Sequence, residues 1–298
     1  MSKQEVRSQN NVVQPSQWWQ ALPRLQWQEL SRVPVKSDWF EVYQLPHQVF
    51  AIYEPHHFQE VMSFLVLGST KAMLIDTGMG IKNIKVIVEE LTDLPLVVVN
   101  THTHFDHIGD NWRFDLVHVL DEPTAKERLS QTFDVKQDIL ELKDNFIPEA
   151  FHYDKMDTID VDNFQIKPCR FQPIKEGHVF DLGNRQFRVV ATPGHSPDSI
   201  MLVCDEEKLV FVGDTFYPAS LYAHFYGSFE TYRQTLHRVA TEFSDYQLFC
   251  SHNEALRPGR SLAEAAKAFD QIASGEARFV SDESGLKKYQ FDDFAVIV

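Results

Sequence analysis

The sequence predicts an α/β protein in which two sheets face one another between outer helical layers. Three observations carry that reading. Short apolar runs separated by turn residues fill 39–76 and recur over 178–212. Stretches with helical spacing follow each set. Ligand-type residues stand directly after several of the runs, where strands would end. No repeat relates the two halves.

Residues 1–34 read as an extension, rich in Gln and Asn. Trp18, Trp19, Leu22, Leu25 and Trp27 form an apolar subset interrupted by Pro15 and Pro23. Packing is the expected role, either on the body of the protein or on a second subunit of a homodimer. The main domain is expected over 35–298. Its β texture begins with 39–45, 48–53, 62–68 and 71–76. The adjacent His56 and His57 fall between the second and third of these runs, where a surface position is expected ahead of substrate contact. Asp76-Thr77-Gly78-Met79-Gly80 suits a tight turn into a helix over about 81–92. Strands are expected at 94–99 and 116–120. Helix-like residues 121–150 open a helical insertion over about 122–172, a candidate substrate cap or an insertion without that role. The second half continues with strands 178–182, 186–191, 199–204 and 208–212, Gly183-Asn184 making a hairpin turn. A helix over 229–243, a strand at 247–250, a helix over 261–274 and a last edge strand in 289–297 complete the chain.

The chemistry concentrates in Asn100–Gly109, NTHTHFDHIG, after the run Leu94–Val99. His102 and His104 are two apart and share a face while the chain stays extended. Asp106 and His107 swing towards a second point once the chain turns, which predicts two metal sites side by side. Imidazole and carboxylate donors suit zinc, with iron or manganese as alternatives. Three further donors stand at strand ends: His195 in TPGHS, Asp214 in GDT and His252 in SHN.

The formal net charge of −15 excludes non-specific nucleic-acid binding and attraction to an anionic membrane. No apolar run is long enough to insert into a bilayer. Cys169, Cys204 and Cys250 show no paired spacing, so a reducing, cytoplasmic setting is expected. The expected partner is a small-molecule substrate.

The motifs HTHFDH, PGHS, GDT and SH, with the earlier DTG, resemble the metallo-β-lactamase superfamily over roughly residues 39–298. The resemblance implies a four-layer αββα sandwich with a dinuclear metal site on the rim between the sheets. It implies that His102, His104 and His195 hold one divalent ion, that Asp106, His107 and His252 hold the other, and that Asp214 bridges them. Asp76 would fix the ligand loop from behind. Diiron flavoprotein relatives generally carry glutamate at the position of His104, so this chain resembles the hydrolase side. GDTFYPASLYA and the segment before it resemble a mammalian acyl-coenzyme A thioesterase branch. N-acyl-homoserine lactonases share the tyrosine three residues after the bridging aspartate, here Tyr217. Glyoxalase II is a further relative, without a clear match to its basic glutathione-binding residues.

The expected activity is cleavage of an ester-type bond, thioester or lactone first, by hydroxide formed on two ions. Asp106 would orient that hydroxide and carry a proton to the leaving group. The Tyr217 hydroxyl would stabilise the oxyanion. The alternatives are a non-hydrolytic dinuclear protein, such as a sensor or a diiron oxygen-reactive protein, and a hydrolase of another bond type such as a phosphodiester.

Overall fold

Side chains that alternate across a strand can feed two separate cores, and here that alternation lays out the layers. The computed structural model describes residues 18–135, 164–281 and 285–298. Along Met62–Leu67, Met62, Phe64 and Val66 face one apolar cluster while Leu65 faces another. Along Ile200–Cys204, Ile200, Leu202 and Cys204 enter the cluster shared with Phe64, whereas Met201 and Val203 enter a third. The shared cluster lies between two sheets, and Phe64, Phe211 and Phe249 meet across it with ring centroids 4.7–5.9 Å apart. The other two clusters lie under helices.

The first sheet runs Ser31–Val33, Glu41–Leu45, Val49–Tyr53, Met62–Leu67, Ala72–Ile75, Leu96–Val99, Val117–Leu120, Phe171–Ile174. The first five strands pair antiparallel, and the rest join in parallel. The helix Ile84–Leu91 covers it, started by the Asn83 side chain accepting from Lys85 N and burying Ile84, Ile87 and Val88 at helical spacing. The second sheet runs Val179–Asp181, Gln186–Ala191, Ile200–Cys204, Leu209–Gly213, Gln247–Cys250, Leu256–Pro258. The helices Phe229–Glu242 and Arg260–Ala273 cover it through Tyr232, Leu236, Val239, Leu262, Ala266 and Phe269. The order is helix, sheet, sheet, helix, as expected.

Three expectations change in detail. The tail is a hairpin of Lys287–Gln290 and Ala295–Ile297 rather than one edge strand. It joins Ser220–Tyr222 and Phe279–Ser281 in a separate four-stranded sheet, because Ala295–Ile297 finds a parallel partner in Ser220–Tyr222. The helix-like stretch after Asp121 breaks early: Pro123–Ser130 is helical and Phe133–Asp134 is extended, while 136–163 lies outside the described residues. Within 122–172, Ala125 and Leu129 enter the core and Phe171–Ile174 extends the first sheet. His57 is buried rather than on the surface, its ring nitrogen accepting from Gln59 N within the loop it shapes.

What matters for the site is polarity. Strands Gln186–Ala191, Leu209–Gly213 and Gln247–Cys250 all end on one rim, as do Ala72–Ile75 and Leu96–Val99 of the other sheet. Backbone bonds stitch the rims together, Ile200 N to Thr101 O and Met62 N to Ser251 O, both 2.8 Å.

Candidate metal centre

Every predicted ligand leaves the chain just past one of those strand ends. Three local devices make that possible. Asp76 takes a left-handed backbone (φ +63°), turning the chain out of its strand. Gly213 is left-handed too, and a Cβ there would stand 2.7 Å from Thr101 Cβ, so only glycine lets the Asp214 loop approach the histidine loop. The short helix Phe105–Ile108 turns Asp106 and His107 away from His102 and His104.

The seven side chains His102, His104, Asp106, His107, His195, Asp214 and His252 converge, all buried. On one side His104 Nδ1 stands 3.1 Å from His102 Nε2 and 2.8 Å from His195 Nε2. On the other, His107 Nε2 is 3.3 Å from His252 Nε2, and the Asp106 carboxylate is 3.8 and 3.7 Å from the two. Asp214 stands between them. Its Oδ2 faces His195 and His102 at 3.3 and 4.0 Å, and its Oδ1 faces His107 and His252 at 3.3 and 3.0 Å.

The ring orientations are held from behind. Asp76 accepts from Thr101 N (2.7 Å), Thr101 Oγ1 (2.8 Å) and His107 Nδ1 (2.8 Å). The His102 Nδ1–H donates to Thr101 Oγ1 (3.2 Å), and His252 Nδ1 donates to the Gln59 carbonyl (2.6 Å). Each of these bonds occupies Nδ1 and aims Nε2 inward, the orientation a metal ligand needs.

Burial sets most of the protonation. It pushes His102 and His104 well below the ordinary imidazole value and His195 down to about 4, each reinforced by neighbouring histidines. For His107 burial again lowers, but the carboxylates of Asp106, Asp214 and Asp76 outweigh it and the pKa rises. His252 rises for the same reason, through Asp214 and Asp106. Burial raises Asp106, whereas the facing histidines carry Asp214 well below the usual carboxylate range.

These donors fit metal ions. Three imidazole nitrogens crowd together at 2.8–3.1 Å, where a cation among them would take all three as ligands. The spacing is near the ~3.3 Å expected between nitrogens sharing one tetrahedral zinc. Asp214 Oδ1 is buried without a hydrogen bond of ordinary geometry, which a cation would also answer. Three triads each bring their ligand atoms within 4.8 Å: His102, His104 and His195; His102, His107 and Asp214; Asp106, His107 and His252.

A cavity of about 120 Å³ opens on this cluster, walled by Phe58, Gln59, Tyr217, Tyr222 and Phe225. A wider one of about 310 Å³ adjoins it through His104 and Phe225. Tyr217 lines the first, its ring 4.7 Å from that of His252, but its hydroxyl donates to the Ser220 carbonyl at 2.6 Å. His118 and His237 lie apart from the cluster, bonded to the Val98 carbonyl and Asp270. His152 lies outside the described residues.

Beyond Asp76, the sequence does not reveal the supports. Asn100 Nδ2 donates to the His107 carbonyl (2.9 Å) and Asn111 Nδ2 donates to Asn100 Oδ1 (2.8 Å), bracing the ligand helix. Asp198 accepts from Thr103 and Ser196, both 2.7 Å, and so ties two ligand loops. Placing Asn or Asp beside a ligand within the motif is the only signal the sequence offers for these.

The pattern of the Metallo-beta-lactamase superfamily matches residues 58–248, well over half the chain. A human relative, acyl-coenzyme A thioesterase MBLAC2, is 29% identical over 177 residues, covering 53% of this chain and 59% of that protein. A hydroxyacylglutathione hydrolase of Rhodopseudomonas palustris is 30% identical over 79 residues, 26% of this chain and 31% of that one. Among solved structures, a metallo beta lactamase from Erythrobacter litoralis superposes with a TM-score of 0.55 at 15% identity, covering 81% of this chain and all of that one.

Proposed function

From the premise that this chain belongs to the metallo-beta-lactamase superfamily, we propose that it is a metal-dependent hydrolase of ester-type bonds, thioesters first and lactones second. One observation carries the reading: Asp214 turns one oxygen to His195 and the other to His252 while Asp106 stands beside it at the cavity. His102, His104 and His195 would hold one ion, Asp106, His107 and His252 a second, and Asp214 both. Zinc is the first choice for these donors. Ions held there would polarise a carbonyl and make water acidic enough to react near neutral pH.

The rest falls to the chain's own residues. Asp106 lines the cavity, where its carboxylate can orient the attacking water and relay a proton to the departing sulfur or oxygen. Phe58, Tyr222 and Phe225 offer an apolar wall that would hold an acyl group and exclude water. Tyr217 would reach the carbonyl oxygen only by giving up its bond to Ser220.

The names of the relatives support thioesters ahead of lactones, since acyl-coenzyme A is a thioester. The test is a panel of acyl thioesters, lactones, phosphodiesters and β-lactams assayed with protein of measured metal content. Turnover of thioesters that disappears with metal removal is expected. Turnover of phosphodiesters alone would refute the ester reading.

A further inference from the structure

Among the supports of the centre, one comes from the segment that precedes the span matched to the family. Arg24 is buried, and it grips Glu60 with two parallel bonds, Nε to Oε2 at 2.7 Å and Nη2 to Oε1 at 2.5 Å. Glu60 is wholly buried and accepts two more, from Tyr53 Oη at 2.8 Å and Asn253 Nδ2 at 2.9 Å. Trp27, three residues after Arg24, donates its indole N–H to the Asn253 carbonyl at 2.9 Å and stacks on Tyr53 at 4.5 Å.

These contacts converge on one ligand. Glu60 follows Gln59, whose carbonyl holds His252 Nδ1, and Asn253 follows His252 itself. Glu60 and Asn253 both have left-handed backbones, φ +43° and +66°, and Asn253 N donates to the Glu60 carbonyl at 3.3 Å. Two loops from different sheets thus meet in conformations that non-glycine residues adopt rarely. Their side chains are joined through the Glu60 carboxylate, to which Arg24 is the one cation bonded among the described residues. A buried carboxylate without its cation is unstable and draws in water or turns outward. Either response moves Gln59, and with it the bond that aims His252.

We propose that Arg24 is a positioning residue for the metal ligand His252. By neutralising Glu60 it locks the Gln59 carbonyl and Asn253 on either side of that histidine, so the segment before the family span completes the second half of the centre. His102, His104 and His195 have no contact with this network and should be indifferent to it. The proposal rests on the two-ion reading above.

The experiment titrates Zn²⁺ into metal-depleted full-length protein and measures bound zinc and each dissociation constant, with near-ultraviolet circular dichroism reporting the fold. Wild type should bind two ions. Arg24→Ala should keep the first with unchanged affinity and weaken the second by about tenfold or more, the scale of losing an outer support of a ligand. Arg24→Lys keeps the charge but not the parallel bonds, and should recover part of the loss. Trp27→Phe removes a single donor from the same network and should weaken the second ion by a few-fold; it decides the matter should Arg24→Ala fail to fold. Equal weakening of both ions, or of neither, in a folded variant overturns the proposal. Wild type binding a single ion overturns the two-ion reading itself, and the proposal with it.

Discussion

The two halves of the centre use the same residue type in different settings. His102, His104 and His195 surround one point as three neutral imidazoles, two of them neighbours in a single extended segment. Asp106, His107 and His252 surround the other, where carboxylates raise the histidines and an oxygen acceptor stands behind each ring. The first half joins that local pair to His195, whose distant loop Asp198 ties to theirs. The second depends on Asp76, Gln59 and a buried network reaching back to Arg24. Similar ligands therefore imply different sensitivities, and each half can be disturbed on its own.

Asp214 is where the comparison should collapse, because it faces both halves. Asp214→Ala is expected to weaken both ions and lower hydrolysis by at least about 10³-fold, since a centre without its shared carboxylate loses several kcal/mol of charge stabilisation. Metal analysis beside the thioester assay checks this. Retention of both ions at wild-type affinity would mean that the two halves are not joined through this residue.

Asp76→Asn should separate them. Asparagine tolerates the left-handed backbone at 76 and can still accept from Thr101 N. Its amide N–H₂, however, would face His107 Nδ1 and push the ring proton onto Nε2, where the ligand lone pair is needed. The expected result is a 10–100-fold weaker second ion, about the usual cost of losing such a support, and a smaller loss at the first ion, which Asp76 reaches one step removed through Thr101 and His102.

Lowering the pH should separate them again. In the ion-free protein, carboxylates overcome burial and hold His107 and His252 above the ordinary imidazole value, so an incoming ion must displace protons. Second-ion affinity should then fall by about tenfold per pH unit for each displaced proton as pH drops from 8 towards 6. Burial holds the first-half histidines low, His195 at about 4, so they carry no proton to displace and the first affinity should stay flat. Calorimetric titration in buffers of different ionisation enthalpy would count the protons.

The same contrast explains how far the sequence could be read. The layers were legible because apolar runs and helical spacing report which faces are buried, and the ligand positions because each donor follows such a run. His102 and His104 announce themselves by being two apart. What supports His252 does not, since Arg24 and Glu60 are distant in the chain and Asn253, though next to it, is ordinary in type. A buried carboxylate is indistinguishable from an exposed one until its cation is found, and the burial of His57 likewise depends on tertiary contacts that its local sequence does not show. The tail's hairpin depended on a partner at Ser220–Tyr222, which no local pattern could supply.

Tyr217 offers the finest test, because its ring packs against His252 of the second half and also lines the cavity. A hydroxyl dedicated to the substrate oxygen would cost about 10²–10³ in kcat when removed. Here the hydroxyl donates to the Ser220 carbonyl, so a substrate oxygen must first compete for it, and part of its contribution is spent on that exchange. Tyr217→Phe keeps the ring against His252 and removes only the donor. We expect kcat to fall by about tenfold or less, with KM and both ion affinities unchanged. A weaker second ion would instead show that the bond to Ser220 serves to hold the ring against His252. Unchanged kcat and KM would leave Tyr217 as wall alone, and the oxyanion would then depend on the metal centre without help from this phenol.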